Sequence, residues 1–140
     1  MPDNQIEGLD HTPSTLEKLE EEERFNRRIF LDLPDPAIIV NKEGVIERVN
    51  DKAQLFFIRE RDELIGKPVS VLMPERFRDT HDRYLGDYYK NPVKREMGSG
   101  LELWAVDSGG TEIPVTIHLS PVIHASKGVL TLAVLRRKSE

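Results

Sequence analysis

The sequence predicts an α+β fold: a five-stranded antiparallel sheet with helices on one face, preceded by a flanking helix. Three observations predict it. In the C-terminal third, Ile113, Val115, Ile117 and Leu119 alternate with Pro114, Thr116, His118 and Ser120, the period of a strand with one polar face. Near the start, the apolar runs 37–40 and 45–49 flank the turn Asn41-Lys42-Glu43-Gly44. Between these regions the apolar residues fall at helical spacing. Strands grouped at both ends of a helical middle form an antiparallel sheet that its helices cover on one side, leaving room for a small-molecule pocket between the layers.

Residues 1–13 are polar, lack periodicity and include Pro2 and Pro13, so they read as a disordered leader. A helix follows over 14–33. Ser14 stands three residues before Glu17, the spacing of a capping box, and Glu20–Glu23 place negative charge in the early turns, where the helix dipole favours it. Leu16, Leu19, Phe30 and Leu33 recur at 3/4 spacing, but Glu23 and Asn26 interrupt that seam, so a continuous two-stranded coiled coil is disfavoured. Packing through Phe25, Ile29 and Leu33 onto a neighbouring domain or a second copy is the expectation. Pro34 and Pro36 end the helix.

Ala37–Val40 and Val45–Val49 form a hairpin, with Gly44 at a positive-φ corner. Residues 51–66 read as one helix ended by Gly66. A short connector over 69–73 reaches Pro74, and 76–90 reads as a second helix, amphipathic through Phe77, His81, Tyr84, Leu85 and Tyr88. Three strands complete the chain: one carrying Leu101, Leu103 and Ala105, one over 113–119, and a buried one over 129–135. Pro121 to Gly128 reads as the loop between the last two.

Composition removes whole classes of chemistry. With no cysteine in 140 residues there is no disulfide, thiolate nucleophile or Cys-ligated zinc. The net charge of -5 and the single basic cluster Arg136-Arg137-Lys138 argue against a nucleic-acid partner. No apolar run reaches bilayer length and no secretory signal opens the chain, so the expected location is cytoplasmic. There is no phosphate-cradling glycine motif, no nucleophile elbow and no HxH or HxxxH pair. The chain is expected not to be an enzyme.

The strings Asp35-Pro36-Ala37-Ile38-Ile39-Val40, Gly44-Val45-Ile46, Val49-Asn50-Asp51-Lys52-Ala53 and Leu64-Ile65-Gly66-Lys67-Pro68-Val69, with Gly109-Gly110-Thr111-Glu112-Ile113-Pro114-Val115 further on, resemble a PAS domain over 34–138. Within that family, 72–84 is similar to the FixL-type haem oxygen sensors of bacteria. The resemblance implies haem b ligated through His81, three residues after Arg78 and three before Tyr84. It also implies Arg95 near a haem propionate and a ligand pocket lined by Tyr84, Leu101, Ile117 and Leu119. Two positions depart from the pattern: Asp87 stands where the family has an arginine, and Leu101 stands at the distal arginine's place, which makes that side apolar. The implied role is a sensor module of a two-component system or other signalling protein. It would act as a homodimer through the helix over 14–33 and the sheet, coupled to a kinase or other output domain. A cofactor-free dimerisation module is the alternative.

Overall fold

The computed structural model describes residues 12, 14–79, 88–90, 92, 95–97 and 103–138, with 95–97 described by backbone alone. Two compact units result, one ending at Phe30 and one beginning at Leu31. The first contains all but the last residue of helix α1, Thr15–Leu31. It is capped as its sequence predicts: the Glu17 N–H donates to Ser14 Oγ at 3.1 Å, and the Lys18 N–H donates to the Ser14 carbonyl at 3.0 Å.

The second unit is built on six antiparallel strands: β1 Ala37–Val40, β2 Ile46–Val49, β3 Arg95–Met97, β4 Trp104–Val106, β5 Glu112–His124 and β6 Gly128–Arg137. Their order is β2-β1-β6-β5-β3, with β4 also paired to β5. The sheet therefore has five positions, and the outermost is shared by β3 and β4. From Met97 to Trp104 the chain advances seven residues while the partners recede three, from Ile117 to Pro114; four residues are surplus across this interval. The sequence reading had one strand here and no β3.

The predicted hairpin is present. Gly44 has φ 82°, and Asn41 Oδ1 accepts from the N–H groups of Glu43 and Val45, both at 3.0 Å, which holds the turn closed. A bulge at Glu47 follows, since Ile39 pairs with Arg48 but Val40 pairs with Ile46.

The single helix expected over 51–66 is instead two, α2 Asp51–Phe57 and α3 Arg61–Leu64, followed by short 3-10 turns at Val69–Leu72 and Glu75–Phe77. The break is tertiary in origin. The Ser108 N–H, from the turn between β4 and β5, takes the Phe57 carbonyl at 2.9 Å, while Ile58 adopts a left-handed conformation at φ 53°. The Gln54 side chain then caps the start of α3 by accepting from the Arg61 N–H at 3.0 Å.

The expected loop from Pro121 is likewise strand: β5 continues to His124, and the turn lies between His124 and Gly128. Parity explains why the proline is tolerated. The Val115 N–H points to the β4 side, reaching the Leu103 carbonyl at 3.0 Å. Pro121 has the same parity and lies past the last β3 pair, Arg95 with Leu119, so among the described residues no ladder hydrogen bond is lost there.

The core joins one face of the sheet to the helices. Ile38, Val40, Ile46, Val49, Ala133 and Leu135 pack with Ala53, Phe57, Leu64, Val69 and Leu72 in one cluster. Asn50, wholly buried, organises its edge. Its Oδ1 accepts from the Ala37 N–H at 3.0 Å and the Ala53 N–H at 2.9 Å, and its Nδ2 donates to the Asp35 carbonyl at 2.9 Å. One side chain thus caps α2 and fixes the start of β1 beside the end of β2.

Candidate functional site

The face of the sheet that meets the helices is laid out by register. One row crosses four strands: Val49, Ile38, Ala133 and Leu119, the last paired in turn with the backbone of β3. The adjacent row toward β4 is Leu135 and Ile117, and the next joins Val115 to Arg137. In the opposite direction lie Val40 and Thr131 beside Pro121.

Burial along β5 is uneven. Ile113 and Val115 are buried, whereas Ile117 and Leu119 are only half-buried, although both pack against the core together with Leu103, Val71 and Phe56. Two of the six residues that the sequence assigned to a ligand pocket, Ile117 and Leu119, thus lie two apart on this face, where closure lessens toward β3. Arg95 pairs with Leu119 through its backbone. His81, Tyr84 and Leu101 lie outside the described residues, as do His11 and most of the predicted leader. His118 is exposed on the other face of β5.

Sequence reasoning missed the polar fixture of this face. Tyr89, in the helical segment 88–90, accepts from the Thr131 hydroxyl at 2.6 Å and donates to the Val40 carbonyl at 3.0 Å. Burial pushes the Tyr89 phenol above its ordinary value of 10.0, partly offset by the Thr131 hydrogen bond, so the hydroxyl stays protonated and keeps its donor. Tyr88 beside it is buried and meets the Tyr89 ring edge-on at 5.3 Å. The signal was present as two adjacent tyrosines at the end of an amphipathic run; which strand they would meet was not.

Two fixtures close the rim. Arg76 makes a two-pronged pair with Glu112 at 2.8 and 2.7 Å, joining the 3-10 turn Glu75–Phe77 to the start of β5. That pairing holds the Glu112 carboxyl below its ordinary 4.5. The Arg137 guanidinium lies 5.5 Å above the Phe56 ring. Chemically the described face is an aliphatic floor, and its two central hydroxyls are engaged with each other. No group of three or more His, Asp or Glu side chains able to hold a metal occurs among the described residues.

Comparison with known proteins accords with this architecture. The sequence model of the PAS domain family matches residues 34–136. The chain belongs to the PAS domain family. It is 32% identical over 94 residues to the sensor protein FixL of Bradyrhizobium diazoefficiens, a match that covers 67% of this chain and 18% of FixL. The chain therefore spans under a fifth of that relative's length. Among solved structures it is similar to the PAS domain of an HTR-like protein from Haloarcula marismortui, at a TM-score of 0.69 and 19% identity, covering 86% of this chain and 95% of that one. A PAS domain from a two-component sensor histidine kinase gives a TM-score of 0.69 at 13% identity, covering 85% and 98%. These two structures share the fold. The FixL match supports the resemblance read from the sequence motifs.

Proposed function

We propose that this PAS domain is the sensory module of a bacterial signal-transduction protein, located in the cytoplasm and without catalysis of its own. It takes a small apolar ligand or cofactor on the helix-facing side of its sheet and relays occupancy to an output domain such as a kinase. The observation that carries this reading is the half-buried pair Ile117 and Leu119 on the helix-facing side of the sheet, beside the buried Ala133 and Leu135. Haem b is the occupant that the FixL-like segment 72–84 favours. It would supply an iron centre for a diatomic gas, with His81 as its ligand, Tyr84, Leu101, Ile117 and Leu119 around it, and Arg95 near its propionates. Ligand-dependent bias between two packings of sheet and helix is the physical basis of the relay.

A visible spectrum of the chain expressed with haem tests the cofactor. A Soret band that shifts or disappears in His81→Ala supports it. No band, or an unaltered band in that variant, ends the haem proposal. Mass spectrometry of co-purifying small molecules then tests the broader ligand reading.

One observation favours a second reading, a homodimerisation module that binds no cofactor: α1 exposes Leu16, Leu19, Phe25 and Ile29 to solvent. Light scattering tests the dimer, a monomeric mass at tens of micromolar counting against it, and the visible spectrum separates this reading from the haem sensor.

A further inference from the structure

The turn from β5 to β6 is closed by a histidine. His124, the last residue of β5, pairs with Gly128, the first of β6, across Ala125, Ser126 and Lys127. Its half-buried imidazole accepts through Nδ1 from two backbone groups, the Ser126 N–H and the Lys127 N–H, both at 3.1 Å. The Ser126 hydroxyl lies 3.2 Å from the same nitrogen. Two N–H donors can meet one ring nitrogen only where it presents a lone pair. The ring is therefore neutral here, with its proton on Nε2.

The turn is also anchored from outside. Lys127 Nζ donates to one oxygen of Glu47 on β2, and Asn41, in the β1–β2 turn, donates to the other at 2.9 Å. The charged groups facing the imidazole thus come from two elements, Lys127 from its own turn and Glu47 from β2. The Lys127 hydrogen bond holds the Glu47 carboxyl below its ordinary 4.5, with a smaller contribution from the charge of His124. Glu47 therefore stays ionised between about pH 8 and pH 5, the range over which imidazoles take up their second proton.

Protonation places a hydrogen on Nδ1 and turns that acceptor into a donor. The ring then opposes the Ser126 and Lys127 N–H groups instead of binding them, while the Glu47 carboxylate nearby favours the imidazolium. We infer that His124 is a proton-operated latch. Neutral, it closes the turn that Lys127 ties to Glu47. Protonated, it releases the two amides and turns to Glu47, loosening the tie between the β5–β6 and β1–β2 hairpins.

Heteronuclear NMR of the whole chain, titrated from about pH 8 to about pH 5, tests this, with His118 on the other face of β5 as internal reference. At the alkaline end the His124 proton is expected on Nε2. As the ring titrates, the Ser126 and Lys127 amide signals should shift with the midpoint of His124 and not with that of His118. Their protection from exchange, corrected for the intrinsic effect of pH, should fall about tenfold, the equivalent of one hydrogen bond lost. A proton on Nδ1 at the alkaline end overturns the inference, as do Ser126 and Lys127 amides that stay unmoved while the ring titrates. In His124→Asn, Oδ1 takes the place of Nδ1 and gains no proton, so the turn should keep its protection throughout the titration. An acid-induced loss in that variant equal to the wild type's assigns the effect to another group and refutes the latch.

Discussion

The Thr131 hydroxyl donates to the Tyr89 hydroxyl at 2.6 Å, and Tyr89 donates onward to the Val40 carbonyl at 3.0 Å. Strands β6 and β1 and the helical segment 88–90 thereby meet in one chain of hydrogen bonds. Tyr89→Phe leaves both strand partners without their bond, and a loss of about 1–2 kcal/mol in urea unfolding is expected. Thr131→Val in that background is expected to cost less than it does alone, because its partner is already gone. The sign with pH is also defined. The phenol's native value lies above 10.0, so the stability it contributes is present below that value and lost as pH rises through the native one. Tyr89→Phe removes this alkaline slope.

Asn50 serves three backbone groups from a fully buried position. Asn50→Ala orphans the Ala37 and Ala53 N–H groups and the Asp35 carbonyl, and a loss of about 2–4 kcal/mol is expected. Amide exchange should rise first at Ala37 and Ala53. A wild-type unfolding midpoint in this variant would refute the role assigned to Asn50.

Ile58 is β-branched, left-handed at φ 53° and 62% exposed, so its side chain contributes little while its backbone is strained. Ile58→Gly is expected to stabilise the domain by about 0.5–1 kcal/mol in thermal or urea unfolding. A destabilised variant would show that the side chain packs more than its exposure indicates.

The Lys127 hydrogen bond, with a second from Asn41, holds the Glu47 carboxyl below its ordinary 4.5. A depressed carboxylate contributes stability above its unfolded value and loses it as pH falls through the native one. Unfolding midpoints should therefore decline below about pH 4.5, and Glu47→Gln should flatten that decline. The same bond joins the β5–β6 turn to the bulge in β2, so the variant should also speed amide exchange at Ser126 and Lys127.

Much of this architecture was legible in the sequence. Ser14 with Glu17, Gly44 and the alternation from Ile113 to Leu119 each carry a local signal, and local chemistry determines a cap, a turn or a strand face. What was not legible depended on distant partners. No glycine or proline marks the break at Ile58, because the Ser108 N–H that captures the Phe57 carbonyl comes from the distant turn between β4 and β5. Pro121 reads locally as a loop, and β5 runs through it because its missing N–H lies on the β3 side, past the last described β3 pair. Alternation places Ile117 and Leu119 on one face of β5, whereas the tie between Tyr89 and Thr131 follows from sheet order, which periodicity does not encode.

The Arg136 guanidinium donates to Asp35 at 3.0 Å, and the Leu135 N–H donates to the Pro36 carbonyl at 2.9 Å. Asp35, just before β1, and Arg136, near the end of β6, thus stand side by side where the two neighbouring strands β1 and β6 begin and end. A mechanical load drawn through both would open these strands like a zipper, one rung after another, instead of shearing all rungs together. Loaded that way, the pair parts at lower force than strands whose rungs are sheared together.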